Sequence, residues 1–187
     1  MSIGTTDIFL LVIIVSTLVV GFFWGAARSL LLFAGWILAF LAGAYLQTEL
    51  GTYLANQWER YSAAFNQMAA FGIIYAFLLI WAPVIIFVMS RGSQRVTRSQ
   101  VLDDLTGALF AVFVAVLGIA GILIILATYY GDGQPAVDAA GGPEWTANLY
   151  QNLLLSNIGS GINDHIVPII GVVMGPILPD VVQDVFA

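Results

Sequence analysis

Residues 21–40 read GFFWGAARSLLLFAGWILAF, and the rest of the chain is organised around them. The stretch holds one charged residue, Arg28. Residues 8–27 before it carry no charge, and residues 29–48 after it carry none either. An α-helix rises about 1.5 Å per residue, so a run of about 20 crosses the roughly 30 Å hydrocarbon core of a bilayer. Two such runs back to back predict a transmembrane hairpin that turns at Arg28.

Composition sets the class. Of 187 residues, 60% are hydrophobic and 9% charged, and the mean hydropathy is +0.97. Soluble domains carry about 25% charged residues, so the chain is expected to be an integral membrane protein. Residues 1–7 lack a positive n-region and no small-residue cleavage site closes the first run. Helix one is therefore expected to be retained, not removed as a signal peptide.

Working outward, the first two helices should cover about residues 8–24 and 29–47. A polar interval, 48–67, carries Glu49, Glu59 and Arg60 with the interfacial aromatics Tyr53, Trp58 and Tyr61. Two further charge-free runs predict helices over about 68–90 and 105–129, the third containing Pro83, which should kink it or be accommodated by a neighbouring helix. The expected fold is all-α: a polytopic membrane protein with four transmembrane helices in residues 1–131.

Residues 132–187 form a different kind of segment. The linker GDGQPAVDAAGGPEW leads into short amphipathic pieces, which Gly159, Gly161, Pro168, Gly175, Pro176 and Pro179 should interrupt. The apolar run 166–178 is thirteen residues long, too short to span, so the tail is expected to be interfacial or re-entrant.

Charge placement orients the chain. Up to Gly131 five Arg face five acids, so the net charge of −6 belongs wholly to the tail. An acidic tail without Lys or Arg argues against nucleic acid or anionic lipid as a partner. Arg28 and the trio Arg91, Arg95 and Arg98 fall in alternate turns, hence on one side of the membrane. The positive-inside tendency makes that side cytoplasmic, with both termini on the other. The Arg trio, spaced i, i+4 and i+7, could also meet lipid phosphates or a partner.

Small residues recur at a near-four-residue step: Gly21 and Gly25; Gly35, Ala39 and Gly43; Gly107, Ala111, Ala115 and then Gly118. Such faces let helix backbones approach closely in lipid. Packing within the chain is the preferred reading, ahead of a homo-oligomer seam or a contact with another membrane protein.

The motifs D-I-F-L-L-V-I-I from Asp7, G-F-F-W-G-A-A-R from Gly21, Gly35-Trp36, and L-D-D-L-T-G from Leu102 come in an order that resembles the CvpA (colicin V production protein) family. The matching positions are Asp7, Gly21, Gly25, Arg28, Gly35, Trp36, Leu102, Asp103 and Gly107, within about residues 7–125. The chain departs from the family pattern at Trp24, where a basic residue is usual. It departs again at Ser29 for Glu, Asp104 for Arg and Ala111 for the second Gly, and Val114 falls where many members carry Arg. The resemblance implies a multi-spanning bacterial inner-membrane protein linked to colicin V export and envelope upkeep.

Candidate chemistry is sparse. Arg28 reads as a topology anchor before it reads as an intramembrane cation on a solute path. Asp103 and Asp104 read as acids at a helix start, complementing its dipole and pairing with a nearby Arg. His165 beside Asp164, with Ser156 and Ser160 near in sequence, lacks the motif context of a catalytic triad. The absence of cysteine removes thiolate chemistry and Cys-based metal sites. No catalytic, metal or cofactor site is expected. The expected role is a non-enzymatic structural or accessory protein that packs with itself or with other membrane proteins. The alternative is a small transporter or channel, for which the helix interiors offer mainly Ser16, Thr17, Tyr45, Tyr75 and Thr128.

Overall fold

The computed structural model describes residues 4–89, 100–131 and 142–186. Its elements are α1 (Thr5–Gln57), α2 (Ala63–Met89), α3 (Gln100–Tyr130), α4 (Glu144–Leu155), α5 (Asn157–Met174), a 3-10 turn (Gly175–Ile177), α6 (Asp180–Gln183) and a last 3-10 turn (Asp184–Phe186). No strand occurs among the described residues. Lipid offers no partner for backbone N–H and C=O groups, so a chain this apolar must satisfy them within helices.

α1 is the hairpin, and its break lies at Gly25, not at Arg28. Gly25 has φ 75° and ψ 176°, and it is the only described residue with positive φ. That conformation is essentially reserved for glycine. Arg28, expected at the corner, instead lies inside helix, in the first turn after the break. A guanidinium needs no special backbone, whereas reversal of the chain does.

Contacts along the two limbs show the reversal. A Cβ on Gly21 would meet Ala111 and the carbonyl of Gly107. Beyond the break, the Phe33 ring lies 5.7 Å from that of Phe113, and Trp36 reaches Gly118 through Tyr75. The first limb thus runs against α3 and the second runs with it. α2 runs back along the second limb, pairing Gln67 with Gly51, Phe71 with Gly43 and Phe87 with Trp24. The result is four antiparallel rods with Gly25 at one end and the 58–62 turn at the other.

Helix boundaries move outward from their expected positions. The second limb continues to Gln57, so most of the polar interval is helical, and only residues 58–62 make the turn to α2. α2 begins at Ala63, five residues before the expected start, and runs through Pro83 without a break. Pro83 leaves the carbonyl of Leu79 without its usual helical donor. α3 begins at Gln100, ahead of the expected 105. Polar residues at these ends can stay helical because they extend past the lipid into the interface.

The core is aromatic. Trp36 stacks on Phe40 at 5.6 Å, and Phe40 meets Phe71 at 5.4 Å and the edge of Tyr75 at 6.1 Å. The Trp36 indole N–H donates to the Tyr75 hydroxyl (2.8 Å), which donates to the Gly118 carbonyl (3.1 Å). Three rods are latched where no water is available to compete. Outward faces carry large apolar residues such as Phe23, Leu38 and Leu109, which suit lipid.

The tail does not break where its glycines and prolines fall. α5 continues through Gly159, Gly161 and Pro168; the interruptions come at Ser156 and at Gly175–Pro176. From Asn157 to Ile177 it is long and apolar enough to cross a membrane, contrary to the thirteen-residue estimate. Its anchors nevertheless lay it crosswise. Ile158 is held by Asp7 and the carbonyl of Ile177 by the Tyr45 hydroxyl. Asp7 and Tyr45 lie 18 residues before and 20 residues after Gly25, about 27 and 30 Å along their limbs. Both ends of α5 therefore sit at the open end of the hairpin.

Candidate functional site

Two junctions concentrate the polar residues, one at each end of the bundle. At the open end, Asp7 is the N3 residue of α1 and its Oδ2 accepts the N–H of Gly4, the N-cap, at 3.0 Å. The same carboxylate reaches the start of α5. Oδ1 accepts the Ile158 N–H at 3.0 Å and Oδ2 accepts the Asn157 side-chain amide at 3.2 Å. Ser156 caps α5 in the usual way, its hydroxyl oxygen accepting the Gly159 N–H at 2.8 Å. Asp7 and Ser156 thus share the donors that a helix start leaves unpaired.

Asp7 stands just before the charge-free run, at the edge of the span. The backbone N–H groups of Ile158 and Gly4 hold its carboxyl at about 2, well below the usual carboxylate range. The sequence reading had marked Asp7 only as part of a motif and missed its partner. Ser156 ahead of an amphipathic run was the available signal, but nothing local joins it to residue 7.

At the corner, small residues remove the bulk between α1 and α3. A Cβ on Gly107 would lie 2.5 Å from the Gly21 carbonyl oxygen and 2.5 Å from the Gly25 carbonyl carbon. Ala111 and Ala115 are buried on the same face of α3. Asp103 is 6% exposed, and its Oδ2 lies against Gly25, where the second limb starts. A carboxylate there faces the positive end of that limb's dipole. The other oxygen, Oδ1, has no hydrogen-bond partner among the described residues, nor does the buried Ser29 hydroxyl. Arg28 is half-buried, one turn beyond Gly25. Arg91, Arg95 and Arg98 lie outside the described residues.

The remaining small residues divide. Gly43 faces the Phe71 ring, Ala39 is fully buried, and Gly35 approaches Ala82 at ordinary contact distance. Gly118 differs, because a Cβ there would meet nothing within 4 Å. Its role is the carbonyl that receives Tyr75. All of these contacts are within one chain.

The hydroxyls expected to line any pathway do not converge on one. Thr17 donates to Ile13 O, Thr128 to Ile125 O and Tyr45 to Ile177 O, while Ser16 faces outward. The paper triad does not assemble: Ser156 is a cap, Ser160 donates to Asn157 O, and His165 and Asp164 lie exposed on α5. The arrangement is suited to clamping helices together.

No curated protein and no solved structure matches the chain. The family model described as colicin V production protein matches residues 6–150, which takes in the four rods, the corner and Asp7 but stops before the start of α5. With its four rods, its Asp7 and Asp103 junctions and a match over most of its length, the chain belongs to the colicin V production protein family, a family of membrane proteins.

Proposed function

We propose that this protein is a non-enzymatic accessory subunit of the bacterial inner membrane that presents a rigid, acidic tail platform to other membrane components. The observation that carries the reading is the clamp at the open end, where Asp7 fixes α5 to the start of α1. The small-residue faces of α1 and α3 are spent on each other, so the outward-facing tail is what remains for a partner or a second copy. Exposed Ile169, Val172 and Val173 on α5, followed by acidic Asp180 and Asp184, give that platform an apolar and an anionic part.

The corner carries Arg28 and borders the segment with the other three Arg of the 91–98 interval, which supports a cytoplasmic corner and a periplasmic tail. Gentle purification from native membranes tests the role. A membrane protein that co-purifies reproducibly with the wild type and is lost with Asp7→Ala would support it. Recovery of this chain alone, as a monomer, would count against it.

Transport is the second reading, and one observation favours it: Asp103 is buried in the bundle with an oxygen unpartnered among the described residues. Flux of protons or small ions into liposomes that Asp103→Asn abolishes would favour transport over docking.

A further inference from the structure

α2 packs along the second limb of α1 and α3 along both limbs, while α2 and α3 approach each other much less, chiefly where Tyr75 reaches Gly118 and Gly121. A furrow of about 810 Å³ lies between them, and α4 closes it at the open end of the bundle. Its α2 wall is lowered by Gly72 and Ala76, and its α3 wall is formed by Ile122 and Ile125. Trp58, Tyr61 and Trp145 stand at the mouth. We propose that this furrow binds one acyl chain of a bilayer lipid.

Three observations select that occupant. The first is length. From Phe65 to Ile80 the α2 wall runs fifteen residues, about 22 Å, which covers the roughly 15 Å of a single leaflet and the interface beside it. The second is graded chemistry. Amphipathic Trp and Tyr side chains at the mouth give way to Ile, Leu and Ala deeper in, which matches a molecule with a polar head and a hydrocarbon tail. Trp145 is 67% exposed there, an arrangement that suits a headgroup region.

The third is access. Ile73 and Ile80 on the α2 wall are 47% and 68% exposed, so the furrow opens along its side to the surrounding lipid.

The site stands apart from the proposed accessory role, since it requires only that the chain reside in lipid. The test uses the full chain reconstituted in vesicles of zwitterionic phosphatidylcholine, extracted into mild detergent and weighed by native mass spectrometry. One phospholipid retained per chain is expected for the wild type and for Phe77→Trp, which adds bulk to α2 away from the furrow. Gly72→Trp and Ile80→Trp fill the furrow and should each lower the retained fraction about tenfold or more. Ile80 is already 68% exposed, so its variant keeps the test alive if Gly72→Trp does not fold. A wild type that carries no lipid would overturn the proposal, as would retention untouched by Ile80→Trp. So would a disulfide dimer formed through Ile73→Cys, since the native chain has no cysteine.

Discussion

The Asp7 carboxylate accepts the backbone N–H of Ile158 at 3.0 Å, joining the first turns of α1 and α5 across 151 positions of chain. A hydrogen bond to a charged acceptor at a helix start is stronger than a neutral one. It converts an amphipathic tail, which alone would wander over the membrane surface, into a fixed part of the bundle.

Asp7→Ala should loosen that attachment, as the loss of a helix cap does. Spin labels on Thr5→Cys and Asn163→Cys would report it as a single narrow distance in the wild-type background that broadens in the variant. An unchanged distance distribution would mean that α5 is held by its apolar face alone.

The attachment should also depend on pH in one direction. Because folding depresses the Asp7 carboxyl to about 2, the contribution is fully present above the unfolded value near 4 and fades as pH falls towards 2. The same spin-label distance should be flat from neutral pH down to about 5 and broaden below about 4. With Asp7→Asn the Asp7-dependent step should vanish.

Gly25→Ala should be among the most damaging single changes. It forces a side chain onto a backbone with φ 75° and drives its Cβ to 2.3 Å from Asp103 Oδ2. The backbone strain alone is about 1–3 kcal/mol. Gly118→Ala is the matched control: open space surrounds it, and alanine favours helix by up to about 1 kcal/mol. Thermal unfolding in detergent should fall for the first and hold or rise for the second.

Tyr75→Phe should strand one buried donor, the Trp36 indole N–H, and remove the second bond to the part-buried Gly118 carbonyl, which keeps its place in the α3 helix. Hydrogen bonds between helices in membranes average about 0.6 kcal/mol, with a maximum near 1.7. A double-mutant cycle with Trp36→Phe should give a coupling within that range. Strict additivity of the two changes would rule out the latch.

Much of the bundle was legible because lipid simplifies the code. Charge-free runs of bilayer length marked the spans, and Gly21, Gly107 and Ala111 announced a close approach between helices. The break was misplaced by three residues because a lone Arg is conspicuous, while Gly25 looks like any other member of a GxxxG step. Gly118 shares that spacing but faces open space, since spacing fixes a helical face and not what stands opposite it. The tail was least legible. Gly159, Gly161 and Pro168 are poor helix formers, yet α5 persists because its apolar face docks on the bundle and Asp7 and Ser156 cap its start. The Asp7 contact spans 151 positions of chain and is invisible to any local pattern.

The most direct test concerns α5, which is long enough to span but is held crosswise. The chain contains no cysteine, so single cysteines can be introduced at exposed Asn152, Asp180 and Gln100 and treated with an impermeant maleimide on intact cells. Asn152 and Asp180 flank α5 and should react from the same side of the membrane, with Gln100, at the corner end, reacting only from the other. Labelling of Asn152 and Asp180 from opposite sides would contradict the crosswise tail and, with it, the clamped open end.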